Sequence, residues 1–405
     1  MTGKMSLRHI GDFYGKRFLI RVDFNVPLDK DGQITNDRRI RSALPTIQYV
    51  LDKGGKAIVM SHLGRPKGDP KADAIYRMDN VARRLSELLD RPVRKTDQVV
   101  GPAVVAAVNV LKPGEILVLE NLRFHPGEEK NDLEAAAQLA LIGDVYVNDA
   151  FGTCHRKHMS MYALPQAMTG KPKVAGFLLE KELQVLGQLL ENPSRPVVAL
   201  LGGAKVSDKI DFIRALLPRV DRLLIGGAMT YTFMKSLGQN VGNSRCENDK
   251  LELARALWQE AQGKIVLPKD HLVADKGEAS AATRVVEGAI PEGWFGVDIG
   301  PQTIALYSSE LRRAATVVWN GPVGWFEIEP FSQGTRQLAQ TLAEIASQGA
   351  ITIVGGGETA EAVEALGLDQ RMTHVSTGGG AFLDYIANHG QLPALEVLDN
   401  LSLSS

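Results

Sequence analysis

The stretch "VVALLGGAKVSDKI", residues 197–210, opens with five apolar residues, halts at Gly202 and Gly203, and then places lysines at 205 and 209. A run this short, apolar at every position, reads as a strand buried on both faces, the environment of a parallel sheet covered by helices. The same grammar recurs along the chain in "RFLIRVDF" (17–24), "GKAIVMSH" (55–62), "EILVLENL" (115–122), "DVYVND" (144–149), "DRLLIGG" (221–227), "GKIVLP" (263–268), "ATVVWNG" (315–321), "AITIVGGG" (350–357) and "HVSTGGG" (374–380). Between them, "MDNVARRLSELLD" (78–90) and "NDLEAAAQLALI" (131–142) carry helical spacing. Alternation of this kind predicts an α/β protein with doubly wound parallel sheets.

Ligands of such sheets sit beyond the carboxyl ends of the strands, so the residues just past each strand carry the functional information. In the first half they are basic or polar: Asp23, Asn25, His62, Arg65, Asn121, Arg123, His155, Arg156 and His158. In the second half they are glycines, at 202–203, 226–227, 355–357 and 378–380. Two kinds of loop in 405 residues, where a domain averages about 150, predict two domains that each hold a different ligand. The stretch 170–196 lies between them. It has helical spacing from about Gly176 to Leu190 and ends in Asn192, Pro193 and Pro196, as a packed connecting helix would.

A net charge of −1 argues against a protein that works by bulk attraction to nucleic acid or anionic membrane, so any anion site must be local. Cys154 and Cys246 have neither a metal-site nor a C-x-x-C spacing, and the start "MTGKMSLRHIGDFYGKR" has no apolar core of a signal peptide. A cytoplasmic protein is expected.

No stretch fits a P-loop, and none of the glycine turns forms a dinucleotide fingerprint. Glycine still permits close backbone approach to a ligand, and the following helix aims free N–H groups outward. Tight strand-to-helix turns also need glycine for their own sake, and for each turn alone both readings stand. On a helix opening near Ala204, Lys205 and Lys209 would share the N-terminal face, where their charge opposes the helix dipole unless an anion binds. Glu327 and Glu358 are either first-turn helix residues or groups that hold Mg²⁺ or a ribose hydroxyl. Arginines near the strand ends of the first half suit a small, multiply charged acid. His155 and His158, flanked by Arg156 and Lys157, suit an anion better than a metal.

Read together, "RVDFNVPL", "RRIRSALPTI", "SHLGRP", "LENLRFHPGEE", "NDAFGTCHRKHMS", "LLGGAKVSDKI", "VWNGPVGWFE", "VGGGETA" and "STGGGAFLD" resemble the phosphoglycerate kinase family, in family order from about residue 6 to the end. The resemblance implies two doubly wound parallel-sheet domains joined by a connecting helix, with a hinge and a cleft between them. It implies a substrate-binding domain over 1–173, with a tail at 388–405 packing back on it, an interdomain helix at 174–191, and a nucleotide-binding domain over 192–387. By match to the motifs, Asp23, Asn25, Arg39, His62, Arg65, Arg123 and Arg156 would bind 3-phosphoglycerate or its acyl phosphate. Gly203, Lys205, Lys209, Gly227, Asn320, Glu327, Gly356, Gly357, Glu358 and Thr359 would bind ATP or ADP, with Glu358 toward Mg²⁺. Arg39, Lys205, Gly379 and Gly380 would face the phosphoryl group in transfer. A monomer is implied. Glu358 departs from the family's usual Asp after the third glycine triplet, which makes a water-mediated contact to the metal the expectation. Cys154 stands where the family often has Ala.

Overall fold

A computed structural model of the chain describes residues 3–401. Its contacts gather into two units, one running up to Gln184 and resumed from Gln391, the other Val185–Gly390. The four residues 402–405 of the tail lie outside the described residues.

In the first unit, β1 (Arg17–Val22), β2 (Lys56–Met60), β3 (Val93–Lys95), β4 (Ile116–Val118), β5 (Val145–Asp149) and β6 (Lys173–Ala175) form one sheet in the order β3-β4-β2-β1-β5-β6. Every pairing is parallel. Phe18 to Val22 are all buried, as are all five residues of β5, because helices cover both faces. The three-residue edge strands β3 and β6 escape a reading of apolar runs: two of the three residues of "VRK" are charged, and "KVA" sits inside the stretch read as a connection. Residues from Gln391 belong to this unit. Asp399 donates its N–H to the Lys173 carbonyl at 2.9 Å, and Ala394 donates to Cys154 at 3.1 Å.

In the second unit, β7 (Val197–Leu201), β8 (Arg222–Ile225), β9 (Ile265–Val266), β13 (Thr316–Asn320), β14 (Ile351–Gly355) and β15 (His374–Val375) form a second parallel sheet, ordered β15-β14-β13-β7-β8-β9. Trp319, in β13, is fully buried. This unit also carries what the apolar runs did not announce. The strands β10 (Asp270–Ala274), β11 (Thr283–Glu287) and β12 (Phe295–Ile299) make a three-stranded antiparallel sheet in the order β11-β10-β12. β11 has no fully buried residue, so it lacks the apolar signature of the other strands.

The helix Phe177–Glu191 occupies the expected helical stretch. Its first N–H groups find partners far away in sequence: Phe177 donates to Thr46 Oγ1 at 2.8 Å, and Leu178 donates to Asp149 Oδ1 at 3.0 Å. The carboxylate at the end of β5 therefore caps it. Among the described residues no helix is long and apolar enough to cross a membrane.

In each sheet the first strand has a neighbour on either side at which the strand order reverses, β1 between β2 and β5, and β7 between β8 and β13. The loops that leave these strands hold most of the residues singled out above.

Candidate functional sites in the two units

The site of the first unit is built around Asp23, one residue past β1. Arg39, in the first turn of the helix Arg38–Asp52, donates to the Asp23 carboxylate. That first turn holds no acidic residue, so its arginines oppose the helix dipole and take their counter-charges from outside. Asp23 serves Arg39, while Asp37 pairs with Arg41 at 2.9 Å and Arg84 at 2.7 Å. Burial pushes the Asp23 carboxyl up, but Arg39, His62 and Arg21 outweigh it and hold the group below its ordinary value.

Asn25 Oδ1 accepts the Gly64 N–H at 2.8 Å, tying the loop after β1 to the loop after β2. Asn121 accepts from Leu63 and donates to the carbonyls of Leu63 and Tyr76. Its side chain is used as scaffold. Arg123 donates to the Gly64 carbonyl and pairs with Glu129 at 3.2 Å. Arg156 Nε lies 3.3 Å from His155 Nε2, and Arg65 is exposed.

These cations feel one another. Burial first, and then Arg156, Arg21 and Arg65 against the pull of Glu129, lower the Arg123 guanidinium from its usual value. Burial drives His62 down to about 3, with Arg21, Arg123 and Arg39 adding to it and Asp23 opposing. His158 falls to about 4, from burial foremost and then Arg21 and Arg156. Both imidazoles are neutral at pH 7, set among guanidiniums that outnumber their carboxylates. Such a surface is complete only with an anion.

Beneath it lies a network that no motif announced. Arg21 is fully buried, with Nε donating to Ser160 Oγ at 2.9 Å and a terminal nitrogen 3.2 Å from His62 Nδ1. Glu128, also fully buried, accepts from Ser160 N and Oγ and lies 4.0 Å from Arg21. An arginine inside a buried strand was the available signal; Glu128 and Ser160 carried none.

In the second unit the four glycine turns divide in two. A Cβ on Gly202 would lie 2.0 Å from the Pro322 carbonyl oxygen, and one on Gly227 would lie 2.5 Å from Gly203 N. Gly203, at φ +100°, donates to Pro322 O at 3.0 Å, and Gly227, at φ +65°, donates to Val323 O at 2.9 Å. Here backbone packs on backbone, and glycine is needed whether or not a ligand binds. Gly357 and Gly379 are different. A Cβ on Gly357 would meet nothing within 4 Å, and one on Gly379 only Gly357 N at 3.9 Å. They stand at the starts of the helices Gly357–Ala365 and Gly380–Ala387, beside open space onto which free N–H groups can face. The contrast is testable by alanine. Gly202→Ala is expected to destabilise this unit by about 2–3 kcal/mol in denaturant titration. Gly357→Ala is expected to leave stability unchanged or slightly raised and to weaken ADP binding severalfold.

The lysine pair differs from the expected one. The segment after Gly203 is a turn, followed by a single 3₁₀ turn at Ser207–Lys209 and then the helix Ile210–Leu216. The helix opens six residues later than Ala204, because Glu247 takes the N–H groups of Val206 and Ser207. Lys205 and Lys209 therefore share no helix face. Lys205 is exposed, while Lys209 folds back so that Nζ donates to Gly202 O at 2.6 Å and Asn320 O at 3.0 Å, over the reversal between β7 and β13. Burial holds this ammonium down at about 8, with Glu358 and Asp208 pulling it up. It is charged below that pH and neutral above it. Phosphate binding favours the charged form, so ADP affinity is expected to fall as pH rises from 7 to 9. Binding at pH 8 should take up part of a proton, which calorimetry in buffers of different ionisation enthalpy would read.

Asn320 and Thr359 are buried and joined to loops: Asn320 Nδ2 donates to Gly355 O at 2.8 Å, and Thr359 Oγ1 accepts from Gly321 N at 2.7 Å. Gly356, at φ +98°, is the N-cap of its helix. Glu327 and Glu358 are exposed, and both line a cavity of about 610 Å³ with Gly203, Gly227, Phe295 and Trp325. Among the described residues no group of three or more His, Cys, Asp or Glu could hold a metal. The exposed carboxylates offer the hard oxygen donors that suit Mg²⁺, an ion that keeps waters and completes its shell with substrate phosphates.

A cation-lined surface on one α/β unit and a glycine-walled, acid-rimmed cavity on another define a protein that handles two different small anionic ligands. The family model for phosphoglycerate kinase matches residues 7–389. The phosphoglycerate kinase of Chloroflexus aggregans is 53% identical over 403 residues, covering 98% of this chain and 99% of the relative. Among solved structures, the phosphoglycerate kinase of Coxiella burnetii superposes with a TM-score of 0.85 at 40% identity, covering 97% of this chain and 98% of its own. That of Pyrococcus horikoshii gives 0.84 at 32% identity, again over 97% and 98%. The chain belongs to the phosphoglycerate kinase family.

Proposed function

We propose that this chain is the ATP:3-phospho-D-glycerate 1-phosphotransferase of glycolysis and gluconeogenesis. It moves a phosphoryl group reversibly and in line from 1,3-bisphosphoglycerate to MgADP, giving 3-phosphoglycerate and ATP. The observation that carries this reading at the level of geometry is the open space at Gly357 and Gly379, two helix starts with no steric need for glycine, on the unit that also carries Glu358.

In this reading Arg65, Arg123, Arg156 and neutral His62 bind the phosphorylated acid, and Asn25 holds their loops in register. Asp23 orients Arg39. The acid's own carboxylate is the nucleophile and is ionised at pH 7, so no side chain need act as a strong base. Arg39, Lys205 and the N–H groups at Gly379 and Gly380 then take up charge on the phosphoryl oxygens, which is most of what such transfer asks of a protein. Lys209, Glu327 and the turns at Gly203, Gly227 and Gly356 hold the nucleotide, with Asn320 and Thr359 as braces. Mg²⁺ held at Glu358, through water, would supply neutralisation of the nucleotide phosphates. Transfer also needs the two ligands to meet away from water, so closure of the two units about the segment 174–191, whose helix runs from Phe177 to Glu191, belongs to the proposal, as do the domain limits 1–173 and 192–387 with the tail 388–405 on the first. A cytoplasmic monomer completes it, in keeping with two free cysteines.

The test is phosphoryl transfer from MgATP to 3-phosphoglycerate, with the acyl phosphate trapped by a coupled dehydrogenase, in wild type and Glu358→Asp. Turnover in the wild type establishes the reaction, and the ratio of the two enzymes measures the effect of the longer carboxylate. Nucleotide binding without turnover in either enzyme would overturn the proposal.

A further inference from the structure

The 610 Å³ cavity of the second unit has a wall that the glycine turns do not supply. Phe295, Gly296 and Val297 of β12 form it, together with Gly277 from the loop between β10 and β11. Facing that loop is Trp325. Its backbone N–H donates to Val297 O at 2.8 Å, fastening it to the antiparallel sheet, while its side chain is 45% exposed. The three other tryptophans are buried or half-buried. A Cβ on Gly277 would lie 2.8 Å from the indole ring, so the glycine lets the loop approach the indole closely. An aromatic side chain this exposed loses favourable burial unless something covers it. It lines a cavity that Tyr231, Phe295 and Val297 share with the turns at Gly203 and Gly227 and with Glu358, the residue after Gly357.

We infer that Trp325 is the stacking platform for the base of the nucleotide. This rests on reading the cavity as the nucleotide site, and it adds a residue and a selectivity. Stacking reads the area of a π-face and is nearly blind to its hydrogen-bonding edge. Adenine and guanine diphosphates should therefore bind comparably, and a pyrimidine diphosphate, with less ring to cover the indole, more weakly.

The experiment is a fluorescence and calorimetric titration of the full chain with ADP, GDP, CDP and pyrophosphate, in wild type, Trp325→Leu and Trp325→Phe. ADP and GDP are expected to quench wild-type emission and pyrophosphate to leave it unchanged. Trp325→Leu should weaken ADP about tenfold with pyrophosphate unaffected, and Trp325→Phe should restore most of that affinity while losing the quench. Binding of ADP without quench, or with equal affinity in Trp325→Leu, overturns the stacking role and leaves the nucleotide site standing. Absence of ADP binding in wild-type calorimetry overturns the nucleotide site itself.

Discussion

Replacing Arg39 by alanine is expected to lower kcat by about a hundredfold or more, roughly 3 kcal/mol of transition-state stabilisation, with a smaller change in KM for 3-phosphoglycerate. The reason lies in how the side chain is held. Arg39 projects from the first turn of its helix, against the dipole, and the Asp23 carboxylate that it pairs with is only 8% exposed. A guanidinium fixed at one end by a buried carboxylate is preorganised, and it has donors left for charge that develops during transfer. Lysine, a point charge without the fork, should recover little of the loss. If alanine raises KM and leaves kcat unchanged, Arg39 acts in binding alone, and the transition-state role fails.

Arg21→Met is expected to have the largest effect on stability, about 3–5 kcal/mol, localised to the first unit. The substitution leaves Glu128 fully buried with its serine contacts but without the guanidinium 4.0 Å away, and it removes the donor that faces His62 Nδ1. All four tryptophans lie in the second unit, so indole emission would miss the change. Hydrogen exchange at the amides of β1 and β5 would register it. A second substitution, Glu128→Gln, should return part of the lost stability, because the stranded charge is then gone. Equal loss in the single and double variants would show that the cost is packing and that the pair contributes nothing.

Much of this protein is legible in its sequence. Short apolar runs alternating with helical segments specify parallel sheets, because that pattern is local and each strand carries it alone. The difference between basic loops in one half and glycine loops in the other is equally local. Asp23 could be singled out for the same reason, lying just past an apolar run, whereas Arg39 was reached only through the family resemblance and their pairing only through the structure.

Other features depend on which strand lies beside which. The antiparallel sheet was hidden because β11 is solvent-facing and has no buried run, yet that sheet supplies the aromatic wall of the nucleotide cavity. Lys209 was expected beside Lys205 on the N-terminal face of a helix. It reaches Asn320, 111 residues away, only because β7 and β13 are neighbours. Arg21 finds Ser160 at a separation of 139 residues because β1 and β5 pair. The glycines divide the same way. Their sequence announces a turn, but whether a Cβ would strike backbone, as at Gly202, or open space, as at Gly357, depends on what the rest of the chain brings alongside. By itself the sequence determined the elements, their class and the chemical character of each loop, since periodicity and residue type act over a few neighbours. The tertiary structure alone decided which groups are buried together, and with that which charges are shifted, which lysine is held, and which glycines face a ligand.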